Sequence, residues 1–397
     1  MKIGIYNANL HTMGGGEKHI GVVAEFLSKT HKVEFICSQD VDKEVLSKKL
    51  NLDLSKVGIR PLGLEHDHPQ YGEVSKEYDF FINCTYFSNL ESQCRQSAML
   101  VWFPRIWPRK FPAVIKNITY SLLKNTIYRF TEDTGINSLN RFYLSQKNFV
   151  DSRRFLKTYN LFIANSKYTQ KWIKREWGVD SDILYPPIDV DEFLPGEKSN
   201  ILLSVGRFFV HSHNKKQLEM IRVFKKMFDK SDVVKNYEYH LCGSVHHDEL
   251  SAQYLQQCIK EAQDYPIYIH ENIEFNDLKT LYAKASLFWH ASGMGENPKK
   301  FPDRFEHFGM TTVEAMSAGA VPIVIAQGGQ VEIVEEGKNG FLWNTEEELM
   351  NKTIKVMKDK DLLKNLSREA IISSKKYSKA NMYLQLKSML SKLDISV

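Results

Sequence analysis

Short apolar runs alternate along this chain with longer stretches whose apolar positions recur every three or four residues. In the first half, "KIGIYNA", "KVEFICS" and "YDFFINCT" read as strands, and residues 17–29 read as a helix between the first two. The second half restarts the pattern with "NILLSVGRF" as a strand and "KQLEMIRVFKKMF" as a helix. It continues with "YEYHLCGSV" (strand), "ELSAQYLQQCIKEA" (helix), "IYIHENI" (strand), "LKTLYAKA" (helix), "SLFWHAS" (strand), "VPIVIA" (strand) and a helical tail. Strand–helix alternation with short connections predicts parallel sheets covered by helices on both faces. Two such series predict an α/β chain of two doubly wound, Rossmann-like domains. The seam falls in "LYPPIDVDEFLPGEKSN", residues 184–200, where three prolines and a glycine interrupt the pattern before it restarts.

Size agrees with this division, because 397 residues exceed what one ordinary core organises. Hydrophobic residues at 43% and charged residues at 25% are ordinary for a globular protein. A net charge of +5 names no partner by itself and gives no reason to expect nucleic acid. Five cysteines without CxxC spacing read as reduced thiols, not as a disulfide framework or zinc site. "MKIGIYNANL" reads as a first strand and not as a signal peptide, and no apolar run reaches the roughly 18 residues of a membrane span. The expected location is cytoplasmic, with peripheral contact at a membrane face as the further option. That option comes from residues 102–130, which carry six Lys/Arg, seven aromatics and no acid. Such a segment suits an anionic membrane surface, and equally a structural insertion with its rings packed inward.

Three stretches carry candidate chemistry. In "NLHTMGGGEKHIG", Gly14, Gly15 and Gly16 follow a strand and lead into a helix. Glycines there let a ligand approach the backbone, and free N–H groups at a helix start suit a phosphate or sugar. A tight turn without ligand fits the same residues, and the dinucleotide fingerprint GxGxxG is absent. In "SVGRFFVHSHNKKQLEMI", Gly206 and Arg207 stand at the carboxyl end of a strand, where doubly wound sheets bind ligands. Lys215 and Lys216 open the next helix, so Arg and Lys form either a diphosphate clamp or two solvated cations. In "RFEHFGMTTVEAMSAGAVPIVI", a helix is predicted from about Met310, with Gly309 before it and Gly319 ending it. Glu306 precedes that positive helix end and Glu314 lies within the helix; each also fits a plain reading as a cap or a solvated glutamate.

Taken together, "GRF…KK", "EHFGMTTVEAMSAGAVPIV" and "GGQVEIV…GKNGFLW" resemble the carboxyl-terminal domain of glycosyltransferase family 4, retaining enzymes of the GT-B fold. "MGGGEKH" resembles that family's amino-terminal Gly-Gly loop. The resemblance implies an acceptor-binding domain over 1–190, a nucleotide-sugar domain over 191–375, and a terminal helix over 376–397 packing back toward the first domain. It implies that Glu306 bonds the donor sugar, that Phe308, Gly309, Met310 and Thr311 meet sugar and diphosphate, and that Glu314 holds the ribose. Arg207 and Lys215 would stabilise the departing diphosphate beside Gly206, with Lys216 the alternative. Gly14 and Gly15 would line the donor side, and His11 and Gly16 the acceptor side. Related mannosyltransferases often carry a His-aromatic-Pro step in the first domain; here "VWFP" places Trp102 at that His.

The implied reaction is retaining transfer of a hexose from a nucleotide diphosphate sugar to a glycan or lipid-linked glycan. GDP-mannose is the first donor choice and a UDP-sugar the second. No cofactor is expected, because preorganised cations and a helix start already stabilise the leaving charge without a metal. "DVD", Asp189 to Asp191, imitates a metal motif but lies in the proline-rich seam, and His240, His246 and His247 read as a strand end and loop. A sugar phosphorylase, a nucleotide-sugar epimerase and a non-catalytic nucleotide-sugar-binding subunit remain as rival readings.

Overall fold

A computed structural model describes residues 1–107, 153–210, 214–245 and 248–395. Most of the basic aromatic segment, from residue 108 on, lies outside the described residues, as do His246 and His247. The chain divides into two compact units. Unit 1 comprises Met1–Ala164, Thr169–Ile183 and Met389–Val397; unit 2 comprises Asn165–Tyr168 and Leu184–Ser388.

Unit 1 is built on seven parallel strands: β1 (Lys2–Tyr6), β2 (Lys32–Cys37), β3 (Val57–Pro61), β4 (Phe80–Asn83), β5 (Ser97–Val101), β6 (Leu161–Ala164) and β7 (Asp182–Ile183). Their order is β3-β2-β1-β4-β5-β6-β7. Every residue of β4 and β5 is buried, as expected for strands covered on both faces. Those short runs carry no alternation, which is why β3, β5, β6 and β7 escape a reading by periodicity. The first helix spans Gly15–Leu27, two residues earlier at each end than the pattern suggests.

Unit 2 repeats the scheme with six parallel strands: β8 (Ser199–Val205), β9 (Glu238–Gly243), β10 (Ile267–Glu271), β11 (Ala285–His290), β12 (Val321–Ile325) and β13 (Phe341–Trp343). Their order is β10-β9-β8-β11-β12-β13, so the winding reverses between β8 and β11. Five of the six strands, all but β13, match the sequence expectation, as do the helices Gln217–Lys230, Glu249–Ala262, Phe275–Lys284 and Met310–Ser317. The helix Gln217–Lys230 buries Met220, Ile221, Val223, Phe224 and Met227 along one stripe. These pack with Tyr239, Trp289 and Trp343 in a continuous core, each large side chain contributing roughly 1.5–3 kcal/mol of burial. One half-buried cation ties these segments together: Lys198 Nζ donates to the carbonyls of Ala283 (3.0 Å), Ala285 (2.8 Å) and Ala318 (2.5 Å). All five cysteines are buried and free. Among the described residues no helix is long and apolar enough to cross a membrane.

Candidate functional site

The reversal between β8 and β11 marks where a doubly wound sheet opens a crevice at its carboxyl edge. Gly206 follows β8, and a Cβ there would stand 2.7 Å from Lys215 Cγ, so the glycine makes room for the lysine to cross the strand end. Gln217 Nε2 donates to the carbonyls of Gly206 and Arg207, both at 3.0 Å, fixing this loop to the following helix. Arg207 is exposed, its guanidinium 5.9 Å from the Phe209 ring, with no carboxylate partner among the described residues.

The two consecutive lysines go separate ways. Lys216 has a left-handed backbone (φ 60°), and its N–H donates to Asn214 Oδ1 at 2.6 Å. Lys215 Nζ therefore reaches Glu306 Oε2 at 2.5 Å, while Lys216 Nζ reaches Glu296 Oε1 at 3.1 Å. His290, the last residue of β11, is 3% exposed and bonds Glu306 Oε2 through Nε2 at 3.1 Å. Burial alone would push the Glu306 carboxyl up, but Lys215 and His290 outweigh it and hold it well below the usual carboxylate range. Burial lowers the pKa of His290, partly opposed by Glu306, so this imidazole is neutral near pH 7 and donates to an ionised carboxylate. Glu306 is thus an anchored acceptor in a charged pair, and its side chain does not cap the helix that follows.

The glycines of "GGQ" explain how the Glu306 segment keeps its course. Gly329 N–H donates to the Glu306 carbonyl at 2.7 Å. A Cβ at Gly328 would lie 2.3 Å from that carbonyl oxygen, and one at Gly329 would lie 2.5 Å from Phe308 Cα. The Phe308 ring packs among Tyr185 (5.7 Å) and Tyr377 (5.1 Å), leaving its backbone as the group it can offer a ligand. Gly309, at φ 123°, begins the Met310–Ser317 helix, and Gly319, at φ 81°, follows its end. No side chain caps the first turn, which contains no acid. Four buried or partly buried groups meet there. Gln330 lies against Gly309 with neither amide atom hydrogen-bonded, and the buried Thr312 hydroxyl also lacks a partner among the described residues. Met310 and Thr311, by contrast, are half-buried. One turn on, Glu314 Oε2 accepts from the buried Tyr282 hydroxyl at 2.9 Å.

The glycine loop of unit 1 is held by its own acid. Glu17 accepts from the Gly14 N–H (2.8 Å), the Thr12 hydroxyl (2.8 Å) and Asn7 Nδ2 (3.1 Å). His11 and Gly15 are exposed, and Gly16 faces the Trp102 ring at 3.4 Å from an added Cβ. The Trp102 indole N–H donates to the Cys84 carbonyl at 2.7 Å, and its ring meets His19 edge-on at 5.4 Å. His19 is fully buried with neither nitrogen hydrogen-bonded, and burial pushes its pKa down to about 3. Trp102 therefore acts as a strut beneath the helix start. In the seam, Asp189 pairs with Lys379 at 2.7 Å, and its carbonyl closes a turn to Glu192 and Phe193. Among the described residues no cluster of three or more His, Cys, Asp or Glu has metal-binding geometry.

In unit 2 Lys215 pairs with Glu306, which precedes the helix that carries Met310, Thr311 and Glu314, while Arg207 stands exposed beyond β8 and Lys216 turns aside to Glu296. His290, Tyr282 and Gln330 are additions that the sequence did not single out. Only "WHAS", a polar ring closing an otherwise apolar strand, could have signalled His290. The two doubly wound parallel sheets are those of the GT-B fold. Residues 188–372 match the family model for "Glycosyl transferases group 1". The chain resembles mannosyltransferases: it is 24% identical over 297 residues to the GDP-Man:Man(3)GlcNAc(2)-PP-Dol alpha-1,2-mannosyltransferase of Dictyostelium discoideum, covering 68% of this chain and 55% of that protein. The chain spans about half the length of the curated relatives it matches. Among solved structures, a glycosyltransferase from Rickettsia africae aligns over 98% of both chains at TM-score 0.67 and 16% identity. Anabaena HepE in complex with UDP and glucose aligns over 98% of this chain and 99% of its own at TM-score 0.65 and 16% identity.

Proposed function

We propose that this chain is a hexosyltransferase that moves a sugar from a nucleotide diphosphate donor to a glycan or lipid-linked glycan, retaining anomeric configuration and without a metal. GDP-mannose is the preferred donor, supported by the named donor of the Dictyostelium mannosyltransferase. A UDP-sugar is the second choice, supported by the ligand of the Anabaena neighbour. The observation that carries the reading is the Glu306 carboxylate, pinned by Lys215 and His290 beside an uncapped helix start.

In this reading the diphosphate lies at the Met310–Thr311 amides, where the helix end carries roughly half a positive charge. Arg207 and Lys215 stabilise the charge that grows on the leaving group, and such groups act most strongly in a site that excludes water. Glu306 accepts hydroxyl hydrogens from the donor sugar, and Glu314, positioned by Tyr282, accepts those of the ribose. The acceptor hydroxyl attacks on the face from which the diphosphate departs, and a phosphate oxygen takes its proton. Neither glutamate serves as nucleophile.

A thermal-shift series with GDP, UDP and their sugars tests the donor, since bound ligand raises Tm by mass action. GDP is expected to give the larger shift, and Arg207→Ala to reduce it, one charge-assisted contact being worth roughly 1.5–3 kcal/mol. No shift with any nucleotide sinks the proposal. Transfer that disappears in EDTA and returns with Mg²⁺ sinks its metal-free form.

A further inference from the structure

Lys215 is committed twice. Its Nζ stands 2.5 Å from Glu306 Oε2, yet the proposed reaction needs the same ammonium at a departing diphosphate. Its side chain is 22% exposed, and Nζ has no second hydrogen-bond partner among the described residues. A compact charge on a flexible four-carbon stem can change partners. The carboxylate it leaves behind then has to be kept in place by something else.

His290 reaches the same oxygen from a fixed position. It ends β11, which lies between β8 and β12, and its backbone pairs with Val324. The side chain is 3% exposed, with Nε2 at 3.1 Å from Glu306 Oε2. An ionised carboxylate only accepts, so Nε2 carries the hydrogen and Nδ1 is the bare nitrogen. Nδ1 is buried and has no hydrogen-bond partner among the described residues. A second proton there would find no acceptor, so the ring favours donating without being charged. The charged groups acting on it are Glu306, from the segment before the Met310–Ser317 helix, and Lys215, from the connection after β8. Both donors use Oε2, which leaves Glu306 Oε1 without a hydrogen bond among the described residues. The Glu306 carbonyl is already held by the Gly329 N–H at 2.7 Å, so the side-chain torsions are what remains to be fixed.

We propose that His290 is the positioning residue for Glu306, keeping Oε1 aimed at a donor-sugar hydroxyl when Lys215 turns from Oε2 to the diphosphate. This role, which rests on the glycosyltransferase reading, assigns Lys215 to the phosphate and His290, through Glu306, to the sugar. A neutral donor orients the carboxylate without cancelling its charge, so Oε1 stays a strong acceptor.

Calorimetry on the full chain with GDP, GDP-mannose, UDP and UDP-glucose tests the assignment. The Kd of a nucleoside diphosphate divided by the Kd of its sugar isolates the sugar contact. His290→Leu should lower that ratio about tenfold, and His290→Gln, which keeps an N–H donor, should restore it to within about threefold of wild type. Lys215→Met should weaken both ligands about tenfold and leave their ratio within about threefold. In wild type, ¹⁵N shifts of His290 should show a neutral ring with its hydrogen on Nε2 from about pH 6 to about pH 8, with and without nucleoside diphosphate. A wild-type ratio in His290→Leu, no recovery in His290→Gln, a ratio that falls as far in Lys215→Met, or a charged His290 ring overturns the role while leaving the glycosyltransferase reading intact. No binding of any of the four nucleotides to wild type sinks that reading, and the role with it.

Discussion

The helices Gly15–Leu27 and Met310–Ser317 both begin at a glycine after a parallel strand, yet their first turns are electrostatic opposites. In unit 1 Glu17 folds back onto the Gly14 N–H and ties down Thr12 and Asn7, so the positive helix end is met by the chain's own carboxylate. In unit 2 no acid stands in the first turn, and the nearest carboxylate, Glu306, is turned away toward Lys215 and His290. Two sequences that look alike, glycines leading into a helix, thus produce one closed terminus and one that can receive an anion. The lesson is that a glycine-rich helix start is informative only with the acids around it.

This contrast can be broken in order of expected effect. Glu306→Ala should lower transfer about 100-fold or more while nucleoside diphosphate still binds; steady-state rates and thermal shift together check it. Thr311→Asp would place an acid where unit 1 already has one. It should abolish the nucleotide thermal shift yet stabilise the unliganded helix by about 0.3–1 kcal/mol, so unimpaired binding would contradict the assignment of that helix end. Gly329→Ala forces a Cβ to 2.5 Å from Phe308 and should cost about 1–3 kcal/mol in denaturant unfolding, with activity falling alongside. Glu17→Ala removes a cap and should cost about 1 kcal/mol, leaving the nucleotide shift unchanged; a lost shift would mean that the two termini are not opposites after all.

The smallest effect is a pH dependence. Burial lowers Lys198 to about 8 from its ordinary 10.5. Between those values the unfolded chain binds the extra proton, so stability rises with pH across that window, by at most one proton's slope. Lys198→Met should flatten that rise in urea unfolding measured from pH 8 to 10.

Unit 2 was legible almost whole because its strands are flanked by long amphipathic helices, and its Glu306/Glu314 spacing sits inside a recognisable helix start. Unit 1 was less so: β5 and β6 are short and apolar but for Ser97, and β7 has two residues, which leaves no period to detect. What the sequence could not show was pairing across distance. His290 reaches Glu306, and Tyr282 reaches Glu314, only because neighbouring elements deliver them. Nor could spacing choose between Lys215 and Lys216, since that depends on one left-handed residue.

The Gly328–Gly329 brace has a consequence for how such a protein can change over generations. Because those contacts are made by main chain against main chain, no graded substitution can adjust them; a change there is kept whole or lost whole. The loop from 291 to 305 is held by its own backbone turns and also by side chains such as Glu296 and Arg304, and those side chains can be exchanged singly. Drift in this molecule is therefore channelled: the brace behind Glu306 stands still, and novelty accumulates in the side chains of the loop beside it.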